Sequence, residues 1–401
     1  MNPIPPDPEF GPERTRAATP ERMAHIDMDM FKANVIMLRE LVAPAGVMLA
    51  VKANAYGHGM IPLAWAALQA GAESLAVLDI PAALELRSAG ITAPVFAWMH
   101  DPDADFGAAA DADIDLGISA IWQLEAIAAA GSGTAPRVHL KIDTGLSRNG
   151  ATVEDWPFLV RAAMAADAAG CVKLHAAWSH LADASPADDA VALARFHEAV
   201  DVATALGASF YKLHIAASSA GLRMPEARLD YVRFGIAAYG ISPFEDATGA
   251  DLDLGPVMTL SALVASVKRV PAGQGVSYGY LHRTEGESSL ALVPLGYADG
   301  IPRFATGRAR VMLNGKQYPI AGRIAMDQFV IDVGDDPVEP GDQVIIFSQG
   351  WFGEPTAEEW ASFAGTIGDE IVSRIGQRVV RRYIGVGYDI DTGLFQPDDD
   401  S

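Results

Sequence analysis

A (β/α)₈ barrel of the TIM type followed by a mainly β domain is the fold class that the sequence predicts. Three observations predict it. Between residues 47 and 240, short β-branched runs alternate with alanine-rich stretches of helical periodicity. After about Pro256 the texture changes to apolar–polar alternation broken by turn signals. Titratable and hydroxyl residues gather at the ends of five of the first eight runs, where barrels carry their chemistry.

In chain order, RMAHIDMDMFKANV offers a strand candidate and then a helix candidate. The barrel strands expected next are VMLAVK (47–52), SLAVL (74–78), PVFAW (94–98) and DIDLGI (113–118). They continue with RVHLKID (137–143), CVKLHAAWSH (171–180), FYKLHIAA (210–217) and YVRFGIAAYG (231–240). Segments such as IPLAWAALQAG and DDAVALARFHEAVDVATALG separate them and read as crossover helices between parallel strands. A count of eight favours a closed barrel over an open doubly wound sheet. MTLSALVASVKRV, SSLALVPLGY and RARVMLNGKQYPIAGRIAMDQFVIDVG then alternate as strands, with Asn314-Gly315 as a hairpin turn. EPGDQVIIF adds another strand, and TAEEWASFAGTIGDEIVSRI is the one strong helical stretch of this part. The expected division is a flexible leader at 1–21, the barrel at 22–255, the β domain at 256–389 and an acidic tail at 390–401.

Composition narrows the function. With 401 residues, 50% of them hydrophobic, the chain can build two cored domains. A formal net charge of -22 argues against nucleic acid and anionic membrane surfaces as partners, but leaves a small zwitterion open. The single cysteine, Cys171, excludes an intramolecular disulfide and reads as core. No early apolar run follows a basic region, so a cytoplasmic, soluble protein is expected.

Lys52 closes the apolar run VMLAVK and opens a glycine-spaced loop, NAYGHG. Snorkelling explains a lone lysine there; imine chemistry by a desolvated amine is the alternative. Other strand ends bear on the choice. Lys141, Asp143 and Arg148 lie at and after the fifth run, His180 ends the sixth, Ser218 and Ser219 follow the seventh, and Arg233 and Gly235 sit at the eighth. Barrels often bind phosphate in the loops after strands seven and eight. The amides of Gly235 and Ile236 can approach an anion closely there. A phosphate-bearing ligand facing a strand-end lysine points to pyridoxal phosphate, whose aldehyde condenses with lysine and whose ring is an electron sink.

The motifs VKANAYGHG, KIDTGLSRNG, WSHLADA, HIAASSAGLR, VRFGIAAYG, VSYG, LGYADG and GRIAMDQ, in this order from Arg22 to Tyr383, resemble the alanine racemase family. VSYG and GRIAMDQ in a following β domain make the resemblance specific. It implies a homodimer with shared active sites and a small amino-acid substrate. Lys52 would carry pyridoxal 5′-phosphate and act as base on one face of the substrate. Tyr278, from the partner subunit, would be the base on the other face, since inversion needs a group on each side. His180 beside Tyr278, with Arg233 behind it, would tune the phenol. Arg233 would face the pyridine nitrogen and, unable to give up its proton, leave that nitrogen unprotonated. Arg148 would contact the cofactor or substrate carboxylate, and Lys141 matches a lysine often carried as a carbamate. Tyr56, Ser218, Gly235 and Ile236 match phosphate contacts. Tyr297 and Met326 match substrate neighbours from the partner chain, and His58 is expected to be structural. No metal is expected.

Two positions depart from the family. Asp369 in GTIGDEI stands where members commonly have a tyrosine, and Ala217 replaces an asparagine. Both bear on preference for alanine, so a racemase of serine or of broader range is the alternative reading. A pyridoxal phosphate carrier fits less well, because such proteins end after the barrel. A decarboxylase of related architecture typically uses a cysteine and an acid at the pyridine nitrogen, where this chain offers Arg233.

Overall fold

The computed structural model describes residues 21–131 and 133–385, so the acidic tail, and the leader apart from Glu21, lie outside the described residues. The first strand, β1 (Arg22–Asp27), leads into a helix, Met28–Val42, which the Asp27 carboxylate caps by accepting from the Met30 amide.

Eight parallel strands follow: β2 (Gly46–Ala50), β3 (Ser74–Val77), β4 (Val95–Ala97), β5 (Ile114–Ile118), β6 (Arg137–Lys141), β7 (Lys173–Trp178), β8 (Lys212–His214) and β9 (Tyr231–Phe234). Each of the eight expected runs overlaps one of them, β2 starting one residue before its expected run. Their hydrogen-bonded order is β8-β7-β6-β5-β4-β3-β2-β9. Between β8 and β9 the ladder gives way to single bonds, Asp230 N to Leu213 O at 3.1 Å and Arg233 N to Ala216 O at 3.0 Å. The barrel is therefore nearly closed, and its seam runs beside Arg233. Inside it, Met48, Ala50, Ala76, Phe96 and Trp178 form a small core separate from the large one between strands and helices.

The β domain is built from β10 (Met258–Leu263), β11 (Ser266–Val270), β12 (Gly275–Val276), β13 (His282–Arg283), β14 (Ser288–Val293), β15 (Arg310–Leu313), β16 (Lys316–Pro319), β17 (Phe329–Gly334), β18 (Gln343–Phe347) and β19 (Val380–Ile384). Asn314 and Gly315, both at positive φ, turn β15 into β16.

Three details differ from expectation. The strand β1, grouped with the barrel by sequence order, is paired between β10 and β19 in the six-stranded sheet of the β domain. Its apolar Ala24 and Ile26 are buried there, and periodicity cannot name a strand's partner. Cys171 is half-buried in the turn before β7 rather than in a core strand. The stretch TAEEWASFAGTIGDEIVSRI is two helices, Ala357–Ala364 and Gly368–Ser373, because Gly365 takes the left-handed conformation and caps the first. Among the described residues no helix is long and apolar enough to cross a membrane.

Candidate active site

The C-terminal ends of the barrel strands enclose a cavity of about 480 Å³. Lys52, Tyr56, Lys141, Arg148, His180, Ser218, Arg233, Gly235 and Ile236 all line it. Trp98, Trp178 and Asp183 line it too, together with Ile367 and Asp369 from the β domain.

Lys52 reaches this cavity through an unusual turn. Ala53, Asn54, Ala55 and Tyr56 all have φ of 52–55°, a left-handed stretch that costs about 1–2 kcal/mol per residue. Local bonds oppose the strain. The Asn54 side chain accepts from the Met60 amide at 2.8 Å, and Nδ1 of the fully buried His58 lies 3.0 Å from the carbonyls of Ala55 and Tyr56. His58 is thereby spent on structure, and burial holds its pKa down to about 4.

Four cations surround the cavity. Burial lowers the Lys52 pKa, and Arg148 and Arg233 lower it further against the opposing pull of Asp369. Lys141, 4.2 Å from the Trp178 ring centre, falls to about 7 through burial and then through Arg233 and Arg148. Both amines are thus biased toward the neutral, nucleophilic form. Arg233 is buried and donates through Nη2 to the carbonyls of Ser179 at 2.7 Å and Ile215 at 2.9 Å. The same Nη2 lies 3.1 Å from His180 Nδ1, so its two hydrogens are shared among three acceptors. A guanidinium only donates, so His180 is neutral with its proton on Nε2. Burial and the four cations drive its pKa far down.

In the same cavity, the Ser218 hydroxyl accepts from the Gly235 amide at 3.1 Å. A Cβ on Gly235 would stand 2.3 Å from the Tyr56 hydroxyl, so only glycine lets that phenol and backbone converge. Ile236 begins a 3₁₀ turn whose leading amides have no partner within the turn. These groups make a polar corner of the cavity.

Tyr278, Tyr297 and Met326 do not line the cavity. They are 73%, 38% and 54% exposed, on loops of the β domain that are tied together. Tyr297 N donates to Ala325 O at 3.1 Å, and Ser277 Oγ to Arg323 O at 2.7 Å. VSYG, LGYADG and GRIAMDQ therefore share one surface. Asp369 lies at the cavity wall, its pKa raised by burial against the pull of Lys52. Trp98, Trp178, Asp183 and the Arg233 partner His214 were not singled out from sequence; an aromatic or histidine inside an apolar run carries no signal separating wall from core.

The sequence profile described as alanine racemase, N-terminal domain, matches residues 26–243, and that of the C-terminal domain matches residues 257–383. An alanine racemase of Frankia casuarinae is 49% identical over 367 residues, covering 90% of this chain and 96% of the relative. One from Thermobifida fusca is 48% identical over 368 residues, covering 90% and 98%. Among solved structures, alanine racemase from D-cycloserine-producing Streptomyces lavendulae superposes with a TM-score of 0.89 at 47% identity, covering 92% of this chain and 98% of that one. Alanine racemase from Streptomyces coelicolor gives 0.88 at 46%, covering 91% and 98%.

Proposed function

The chain belongs to the alanine racemase family, and from that premise we propose how its residues interconvert L- and D-alanine, working as a homodimer. The reaction is a pyridoxal phosphate-dependent racemisation of a small amino acid. The observation that carries the residue assignment is the cavity itself, which a pKa-lowered Lys52 lines together with Gly235, Tyr56 and Ser218.

The residues fit the cofactor. The corner suits a phosphate, Lys52 an aldehyde, and Arg233 a ring nitrogen that accepts. When bound, pyridoxal phosphate supplies an electron sink that acidifies the substrate α-hydrogen. Arg233 holds its protons and cannot hand one to the ring, which moderates that sink in favour of reaction fidelity. Lys52 Nζ takes or delivers the α-proton on one face. Tyr278 Oη of the partner subunit does so on the other, where the Nε2–H of His180 would hydrogen-bond the phenol. Arg148 orients the substrate carboxylate, and Lys141, its pKa lowered to about 7 and so partly neutral at neutral pH, can add carbon dioxide, release a proton and become its anionic support. The exposure of Tyr278, Tyr297 and Met326 on one surface supports a partner in which they complete the neighbouring cavity.

The test is chemical. Protein as purified should be yellow, and borohydride should fix the label on the peptide containing Lys52. Lys52→Ala should lose both the reducible chromophore and racemisation; a covalently bound chromophore surviving in that variant would overturn the assignment.

A further inference from the structure

Arg233 is held from inside the barrel by groups that the reaction above does not use. Its Nη1 lies 2.9 Å from Nδ1 of His214, and Nε2 of His214 lies 2.9 Å from Nδ1 of His139. Nε2 of His139 faces Oδ2 of Asp115 at 3.4 Å, while Oδ1 of Asp115 accepts from Arg137 Nε at 2.6 Å. Asp115, His139, His214 and Arg233 are all buried. Trp178 stacks on His214 at 5.7 Å and Phe96 on His139 at 4.5 Å, so neither ring turns without dislodging an aromatic neighbour.

The direction of each proton follows from Arg233, which can only donate. His214 Nδ1 therefore accepts, and neutral His214 carries its proton on Nε2, where it donates to His139 Nδ1. By the same step His139 carries its proton on Nε2, aimed at Asp115. A second proton on either ring would set two donors face to face.

We propose that His139 and His214 form a one-way hydrogen-bond chain, with the Asp115 carboxylate facing its far end as an electrostatic contact rather than a hydrogen bond, that positions Arg233 and, through it, keeps His180 neutral with its Nε2–H toward the cavity. Neither Asp115 nor His139 lines the cavity, so both are positioning residues rather than catalytic ones. Among the described residues no carboxylate pairs directly with Arg233; the chain instead sets the Asp115 charge at its far end, polarising each N–H between. The same protons decide another use of this cluster. Asp115, His139 and His175 each offer a ligand atom within 4.8 Å of the others. A cation there would need the Nε2 lone pair of His139, which holds the proton, and would compete with Arg137 for Asp115.

The link to turnover rests on the racemase reading, whereas the proton arrangement does not, so the first measurement uses cofactor-free protein. NMR with ¹⁵N-labelled histidine rings should find His139 and His214 as neutral Nε2–H tautomers at neutral pH, with a coupling across the His214 Nε2–His139 Nδ1 bond. His139→Phe keeps a ring against Phe96 but removes the acceptor. It should abolish the coupling, speed exchange of the His214 ring proton and shift the His180 ring signals. Asp115→Asn, the milder change, should shift the His139 Nε2–H signal. In the loaded enzyme His139→Phe should lower kcat by about tenfold, with KM for alanine within about twofold. A doubly protonated or Nδ1–H ring at His139 or His214 would overturn the chain, as would zinc removing the His139 Nε2–H signal. Lost coupling with unchanged kcat and unchanged His180 signals would overturn the positioning role. Wild-type protein with the expected tautomers but no racemisation would instead sink the functional reading.

Discussion

Asp369 is where a single residue bears most on selectivity. It lies in the cavity wall, close enough to Lys52 and Tyr56 for its charge to act on both pKa values. Among the described residues no arginine pairs with it, and beyond the bond from its own backbone amide its carboxylate keeps acceptor capacity at the cavity wall. A buried hydroxyl needs such a partner to offset its desolvation, and a short side chain leaves more volume than a phenol. Serine turnover beside alanine is therefore expected, and Asp369→Tyr should move the ratio of the two kcat/KM values toward alanine. Pocket changes of this size discriminate by about 1–3 kcal/mol. Measuring both substrates with both proteins checks it; an unchanged ratio would assign Asp369 to structure alone. The place of Lys52 at the cavity was legible from sequence, because it closes an apolar strand run and opens a glycine-spaced loop at a barrel mouth. His214 was not, because a histidine within FYKLHIAA looks like any polar interruption of a strand until Arg233 is seen across the seam.

At the scale of elements, the turn carrying Lys52 depends on its contact with the β domain. A Cβ on Gly57, whose φ is 84°, would stand 2.3 Å from the Val372 carbonyl. That oxygen belongs to the backbone of the helix Gly368–Ser373 and cannot swing aside. Gly57→Ala should cost about 2–4 kcal/mol, combining left-handed strain with overpacking. It should also weaken cofactor binding, because the displaced turn carries Lys52. Thermal unfolding and cofactor titration of the variant measure the two effects; wild-type values in both would show that the turn tolerates a side chain. The glycines of NAYGHG are thus close-approach positions, which their spacing alone did not reveal. The eight barrel strands were legible because βα alternation leaves little else to build. β1 escaped, since hydrogen bonding to β10 and β19, far away in sequence, decides its domain. The helix break was encoded in Gly365, and its consequence is functional, because it brings Ile367 and Asp369 to the cavity.

At the scale of the whole molecule, several buried histidines make stability sensitive to acid. Burial holds His58 and His100 to about 4, and His180 and His214 lower than the ordinary 6.5. Their folded-state values are depressed, so stability is full above about 6.5, where the unfolded chain is also neutral. Below that the unfolded chain takes up protons that the fold refuses, and each such histidine removes about 1.4 kcal/mol per pH unit down to its folded value. Urea unfolding of cofactor-free protein at pH 7.5, 6.5 and 5.5 should give a steep late fall; a flat series would mean these rings titrate normally in the fold. The same scale holds what the sequence carried least directly. Order of motifs, not pattern or periodicity, tied Tyr278 to a cavity that its own chain does not bring it near. One cavity then contains Lys52 without a second base, and one exposed surface carries Tyr278, Tyr297 and Met326 without a substrate. The proposed homodimer, in which two copies exchange these surfaces, would resolve both. Subunits of Lys52→Ala and Tyr278→Phe, each nearly inactive alone, should regain activity when mixed under conditions that exchange subunits. A mixed dimer assembles one cavity with both bases intact and one with neither, so recovery should approach half the wild-type activity per mixed dimer. Exchange demonstrated by differential labelling, with no recovery, would put both bases of each site on a single chain and dissolve the shared-site dimer.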